Sequence, residues 1–226
     1  LPIGKLRTDG KENLLTSIEI AAAVDKEGKP MVPEVCIFFE SQLLRGNRTT
    51  KINAEGFNAF RSFNFPPLAH AGIHITYDQH LIRRPDPAQP FKPHFLVENS
   101  VMILTIFPGI RKEVVDTCLN VAGIRAVILK TFGAGNAPQR PWFMERIRQL
   151  VNRGVIVVNI TQCSQGTVEM HRYGTGLHLL QAGVINGYDS TMEAVITKLM
   201  YLLAHHDKNE DVIRLMNEDI AGEITL

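Results

Sequence analysis

Residues 101–161 read V-M-I-L-T-I-F-P-G-I-R-K-E-V-V-D-T-C-L-N-V-A-G-I-R-A-V-I-L-K-T-F-G-A-G-N-A-P-Q-R-P-W-F-M-E-R-I-R-Q-L-V-N-R-G-V-I-V-V-N-I-T. Three apolar, β-rich runs, 101–107, 126–132 and 155–161, alternate with two stretches of helical character. The second helix is stopped by Gly154. Apolar strands separated by helices of this length predict right-handed βαβ units in a parallel sheet. The tail after Asp189 continues the pattern with D-S-T-M-E-A-V-I-T-K-L-M-Y-L-L, a helix whose Ser190 and Glu193 have capping-box spacing, and a final short helix.

Upstream of this region the texture changes. Residues 9–24 predict a helix with Asp9 as N-cap, Glu12 three residues on, and an apolar face of Leu14, Leu15, Ile18 and Ala22. A turn, K-E-G-K-P, leads into the strand E-V-C-I-F-F and then into R-G-N-R-T-T-K. Residues 52–95 carry little periodicity and much proline, as in F-N-F-P-P-L and R-R-P-D-P-A-Q-P-F-K-P. The second of these, centred on Arg84–Pro93, predicts an interdomain linker. The domain expectation is therefore 1–82, a linker over 83–94, and 95–226.

The 226 residues hold 45% hydrophobic and 21% charged side chains, the balance of an ordinary globular protein. A net charge of +1, from 24 Lys plus Arg against 23 Asp plus Glu, gives no electrostatic reason for a nucleic-acid or membrane partner. The clusters Arg45/Arg48/Lys51 and Arg83/Arg84 read as solvated faces. Cys36, Cys118 and Cys163 are odd in number and lack C-x-x-C spacing, which argues against a disulfide framework or a zinc site and for a reducing compartment. His205-His206 reads as a surface pair. No apolar run is long enough to span a bilayer, and no charged-then-apolar leader opens the chain. The chain begins L-P-I-G-K-L without a methionine, and the expectation is a piece of something longer.

Ligands of an open parallel sheet bind beyond the carboxyl ends of its strands. Three loops are expected there: R-G-N-R-T-T-K, K-T-F-G-A-G-N-A-P and N-I-T-Q-C-S-Q-G. No G-x-G-x-x-G opens a helix and no P-loop lysine follows a glycine run, so nucleotide phosphates are not indicated. G-A-G-N-A-P reads either as a ligand loop or as a tight turn needing positive φ. Lys51 reads either as a surface lysine or as one partly stripped of water beside Thr49 and Thr50. In the second case, desolvation would make its amine a proton acceptor. Cys163 defaults to a buried apolar cysteine, and Asp9 and Glu193 to helix caps.

Taken together, the segments L-R-T-D-G-K-E-N-L-L, F-F-E-S-Q-L-L-R-G-N-R-T-T-K, F-N-F-P-P-L-A-H-A-G, G-A-G-N-A-P and V-V-N-I-T-Q-C resemble bacterial type I L-asparaginases, from Leu1 to the closing G-E-I-T-L. R-G-N-R-T-T-K and G-x-G-N-A-P at this separation are specific; either alone is not. The resemblance implies an asparaginase-like two-domain α/β fold. An incomplete N-terminal α/β domain is followed by a C-terminal parallel-sheet, Rossmann-like domain. It implies a cytoplasmic hydrolase that converts L-asparagine to L-aspartate and ammonia, with no metal or organic cofactor. Assembly into a homodimer or homotetramer is implied, with a neighbouring subunit completing the active site. Lys51 matches the catalytic lysine of a Thr-Asp-Lys relay, and Asn136 the asparagine that a neighbouring subunit adds to the substrate pocket. Thr50 and Cys163 match a second, regulatory asparagine site.

The family's T-G-G-T-I-G and H-G-T-D-T motifs do not occur in these residues. They would carry the nucleophile, the relay aspartate and most donors to the substrate carboxylate. The expectation is a chain that cannot cleave asparagine by itself, and a first segment, 1–82, that is less ordered or is completed by another chain. The competing readings are a transfer-RNA-dependent amidotransferase subunit, a glutaminase preference, and a non-catalytic amino-acid-binding or assembly module.

Overall fold

A computed structural model describes residues 3–172 and 174–226. The chain divides into two compact units, one ending at Pro93 and the other spanning His94–Leu226.

The first unit opens with α1 (Gly10–Ala22), followed by β1 (Cys36–Phe39) and β2 (Gln42–Arg45). Next come a 3-10 turn over Gly46–Arg48 and the short strands β3 (Thr50–Lys51) and β4 (Phe60–Arg61). β5 (Ala69–Ala71) and β6 (Ile75–Tyr77) complete the unit. Its main sheet has the order β1-β2-β5-β6, antiparallel throughout, and β3 pairs antiparallel with β4. The β1–β2 hairpin turns on Glu40 and Ser41, whose φ angles of 48° and 62° are both left-handed, as a two-residue hairpin loop requires. Its core gathers Ile20 from α1, Leu43 from β2, Leu68 and Ala69 at β5, and Ile82.

α1 departs from the expectation in two ways. Asp9 occupies the N-cap position but makes no capping bond there; its carboxylate accepts the Asn13 side-chain amide at 3.1 Å. The expected apolar face is also not the buried one. Leu14, Leu15 and Ile18 are 49%, 57% and 57% exposed, and Ala22 is exposed too, whereas Ile20 is buried.

The second unit is built on β7 (Val101–Thr105), α2 (Lys112–Cys118), β8 (Ala126–Thr131) and α3 (Pro141–Asn152). β9 (Ile156–Thr161), α4 (Gly174–Gln181) and β10 (Ile185–Asn186) follow, then α5 (Met192–His205) and α6 (Asn209–Met216). The strands form a parallel sheet in the order β10-β9-β8-β7. Because the order is sequential, right-handed crossovers deliver α2, α3 and α4 to one face.

Strand alternation shows this directly. Val127, Leu129 and Val157 pack with Val115, Phe143, Ile147 and Leu179, while Ala126, Ile128, Ile156, Val158 and Ile160 pack with Val195, Leu199 and Leu202 of α5 and Val212 of α6. Both faces are covered, so the strands are apolar at consecutive positions.

α3 starts with Pro141 and ends before Gly154, whose φ of +83° suits only glycine. α5 is capped one residue later than the expected Ser190/Glu193 box: Thr191 Oγ1 accepts from the Ala194 N–H at 3.1 Å. The tail folds back on α5, where Lys198 Nζ lies 2.5 Å from Glu223 Oε1, both side chains under a tenth exposed. α4 and β10 lie in the stretch after β9 to which the sequence reading assigned no element.

Candidate active-site segments

R-G-N-R-T-T-K does not follow a parallel strand as expected; it leaves the antiparallel strand β2. Its arginines are not a solvated face either. Arg45 and Arg48 are 4% and 2% exposed. Arg45 forms a fork with Glu34, Nε to Oε2 at 2.6 Å and Nη2 to Oε1 at 3.0 Å, and donates to the Leu81 carbonyl at 2.7 Å. Glu34 also accepts the Arg83 N–H at 2.7 Å. Both guanidiniums flank the Phe65 ring, with Cζ 4.4 Å from its centroid for Arg45 and 5.2 Å for Arg48.

A buried, forked ion pair of this kind is costly to break and fixes direction as well as position. Thr49 Oγ1 donates back to the Arg45 carbonyl at 2.7 Å, so the clamp reaches the residue before β3. Cys36, on β1 opposite Arg45, feels the same surroundings. Burial and the Glu34 charge push its thiol up to about 11.

The clamp sets where Lys51 stands. Burial falls off along this stretch, from the buried Thr49 through the half-buried Thr50 to Lys51, which ends β3 and is exposed. Its Nζ lies 5.8 Å from the centroid of Phe60, its cross-strand partner. The side chain is exposed, so the desolvated lysine considered from sequence is not what this chain presents.

In the second unit, G-A-G-N-A-P bridges β8 and α3. Gly133 and Gly135 have φ of 49° and 104°, and a Cβ on Gly135 would meet Val168 Cγ1 at 2.7 Å. The tight-turn reading of the glycines therefore holds. Phe132 and Asn136 exchange backbone bonds, N–H of Phe132 to O of Asn136 at 2.9 Å and the reverse at 2.8 Å. The Asn136 Oδ1 accepts from Thr175 Oγ1 at the start of α4. No acceptor among the described residues bonds its Nδ2.

Beneath the loop, Asn159 is fully buried in β9; its Oδ1 accepts from Thr131 Oγ1 at 2.7 Å and its Nδ2 donates to the Gly135 carbonyl at 3.0 Å. Thr161 Oγ1 donates to the Gly133 carbonyl at 2.6 Å and accepts the Cys163 N–H at 2.9 Å. Gln162 spans to the Ile106 and Lys130 carbonyls at 2.7 and 2.9 Å. T-Q-C is thus the support of the G-A-G-N turn. Cys163 is exposed, contrary to the buried apolar cysteine expected.

Lys51 and Thr50 belong to the first unit, Asn136 and Cys163 to the second. The sequence reading missed Glu34, Thr175 and Asn159. For Asn159 a signal existed: an amide inside V-I-V-V-N-I-T has no place on a doubly buried strand unless it is bonded. Glu34 and Thr175 sit in unremarkable contexts, and nothing local distinguishes them. No group of His, Cys, Asp and Glu among the described residues could hold a metal ion, and no helix among them is long and apolar enough to cross a membrane.

Residues 1–83 match the family model for the asparaginase N-terminal region, and residues 100–216 that for the glutaminase/asparaginase C-terminal domain. L-asparaginase 1 of Escherichia coli (strain K12) is 41% identical over all of this chain, which covers 64% of that protein. The 60 kDa lysophospholipase of Mus musculus is 39% identical over all of this chain, which covers 39% of it. The crystal structure of L-asparaginase I from Vibrio cholerae O1 biovar eltor str. N16961 superposes with a TM-score of 0.90 at 42% identity, covering all of this chain and 66% of the other. The chain thus spans slightly less than two-thirds of these asparaginases. With both domain models matched in order, and with the fold of the Vibrio enzyme reproduced, the chain belongs to the type I L-asparaginase family.

Proposed function

We propose that this chain supplies the lysine-bearing part of an L-asparaginase, which hydrolyses the side-chain amide of L-asparagine to L-aspartate and ammonia. The observation that carries the reading is the R-G-N-R-T-T-K clamp. Two buried arginines, one forked onto Glu34, hold a short strand whose outward residue is Lys51. In this reading Lys51 is the proton-handling member of a Thr-Asp-Lys relay. Its amine removes the proton from a threonine hydroxyl as that oxygen attacks the amide carbon. Return of that proton to the amide nitrogen lets ammonia leave as the acyl-enzyme forms, and water then releases aspartate and restores the threonine hydroxyl.

An exposed lysine keeps its hydration, so the reading requires a further segment to cover Lys51 and lower the cost of the neutral amine. Asn136 of a neighbouring copy would donate its free Nδ2 to the substrate. In this reading the working form is a cytoplasmic homodimer or homotetramer without metal or organic cofactor. Thr50 and Cys163 would form the regulatory asparagine site; the exposure of Cys163 is compatible with that role.

Ammonia release tests this. The 226-residue chain alone is expected to show no turnover of L-asparagine. A chimera carrying the N-terminal segment of the E. coli enzyme is expected to turn over, and Lys51→Met in it to lose at least about a thousandfold. Turnover by the unextended chain, or an active Lys51→Met chimera, would overturn the assignment.

One feature favours a second reading, a non-catalytic binding or assembly module. Lys51, which the amidase reading needs stripped of water, is exposed. Calorimetry separates the two: L-asparagine binding by this chain, with an inactive chimera, supports the module.

A further inference from the structure

The second unit contains a cleft that this chemistry does not use. It opens beyond the carboxyl ends of β7 and β8 and has a volume of about 680 Å3. Its apolar walls are Phe107, Phe132 and Trp142, and Arg111 and Arg140 stand at it with Glu113 as the only carboxylate. Lys112 also lines it, but that ammonium is already 2.6 Å from Asp116. Neither Arg111 nor Arg140 is ion-paired among the described residues. Arg140 immediately precedes α3, and its carbonyl accepts the Phe143 and Met144 N–H groups at 2.9 and 3.2 Å. Although Phe132 lies in the loop that carries Asn136, the Asn136 side chain is bonded to Thr175 and is not part of the wall.

A net charge of +1 gives the molecule no general attraction for anions, so two uncompensated guanidiniums at one aromatic cleft are a local feature. Guanidinium offers parallel donors that match an oxyanion, and aromatic walls of this extent match a planar ring. The volume falls in the range of clefts that take small organic ligands.

We propose that this cleft binds a small oxyanion built on a planar ring, the anionic group held by Arg111 and Arg140 and the ring lying against Trp142 and the two phenylalanines. The proposal does not depend on the amidase reading.

Trp142 is the only tryptophan in the chain, so its fluorescence reports occupancy directly. Phenyl phosphate and benzoate are titrated into the 226-residue chain, with inorganic phosphate and benzyl alcohol as probes of each half of the ligand. The expected result is a saturable change with at least one aromatic anion, at least about tenfold weaker in Arg111→Ala and in Arg140→Ala, the size expected for one charge-assisted bond. Arg140→Lys keeps the charge but loses the fork, and should fall between. No saturable change with either aromatic anion, or one that survives both alanine variants, would overturn the proposal. Equal binding of inorganic phosphate would remove the ring from it, and equal binding of benzyl alcohol would remove the anion; either result refutes it as stated.

Discussion

The two units achieve order by different means. In the second, a parallel sheet lies between two helix layers, and consecutive residues of β8 and β9 serve opposite cores. In the first, the apolar core is a small cluster around Leu43 and Leu68, and large aliphatic side chains of α1 face outward. What stiffens it is polar: the Glu34–Arg45 fork, the Arg83 amide and two guanidiniums around Phe65. A fold held by apolar burial spreads its stability over many side chains. One held by a buried ion pair depends on both members being present, because a lone buried charge is among the most destabilising of defects.

Substitutions can break or sharpen this contrast. The largest effect is expected from Phe143→Ala, which empties a fully buried site on α3. It should cost the second unit about 3–5 kcal/mol in chemical denaturation, followed by the neighbouring Trp142 fluorescence. Slightly smaller, about 3–4 kcal/mol, and confined to the first unit, is Glu34→Ala, which strands Arg45. Amide exchange should quicken around β1 and β2 and leave β8 and β9 unchanged; quickening of both units equally would erase the distinction.

A third test uses acid. Burial works against the Glu223 carboxylate, but the Lys198 ammonium and the Ala221 N–H outweigh it and hold the group below its ordinary 4.5. A lowered folded value means this stabilisation is fully present above about pH 4.5 and fades as pH falls through the folded value. Wild type should therefore lose stability over that acid window more steeply than Glu223→Gln, in thermal melts taken at stepped pH. Smallest is Leu15→Ser on the exposed face of α1, expected within about 0.5 kcal/mol of wild type. Chemical denaturation should show no larger shift, since the Leu15 side chain is already 57% exposed.

Much of the second unit was legible because its signal is repetitive: three apolar runs with helices between them allow few architectures. In the first unit E-V-C-I-F-F was legible as the strand that becomes β1, but β2 and the hairpin that joins the two were not. Glu40-Ser41 lacks the Asn-Gly or Asp-Gly signature, although both residues adopt the left-handed conformation such turns need. α4 and β10 escaped because G-T-G-L-H-L-L-Q begins and continues with glycine, and a two-residue strand has no period to detect. At the site, motif resemblance singled out Lys51 and Asn136. It could not show that Arg45 and Arg48 are interior, because buried arginines look like surface ones until the partner, Glu34, eleven residues before Arg45, is known. The α1 face erred in the other direction: helical periodicity identifies an apolar stripe, not what lies across from it.

The fold-back of residues 222–224 onto α5 has a practical corollary. A carboxypeptidase that trimmed the chain to Gly222 would leave the Lys198 ammonium with backbone carbonyls of Met216 and Glu218 but without its counter-ion. An affinity tag appended directly after Leu226 would follow closely on the Thr225 N–H bond to Asp189, 2.8 Å long. Purification handles are better carried elsewhere, and limited C-terminal digestion becomes a simple gauge of how firmly that end is seated.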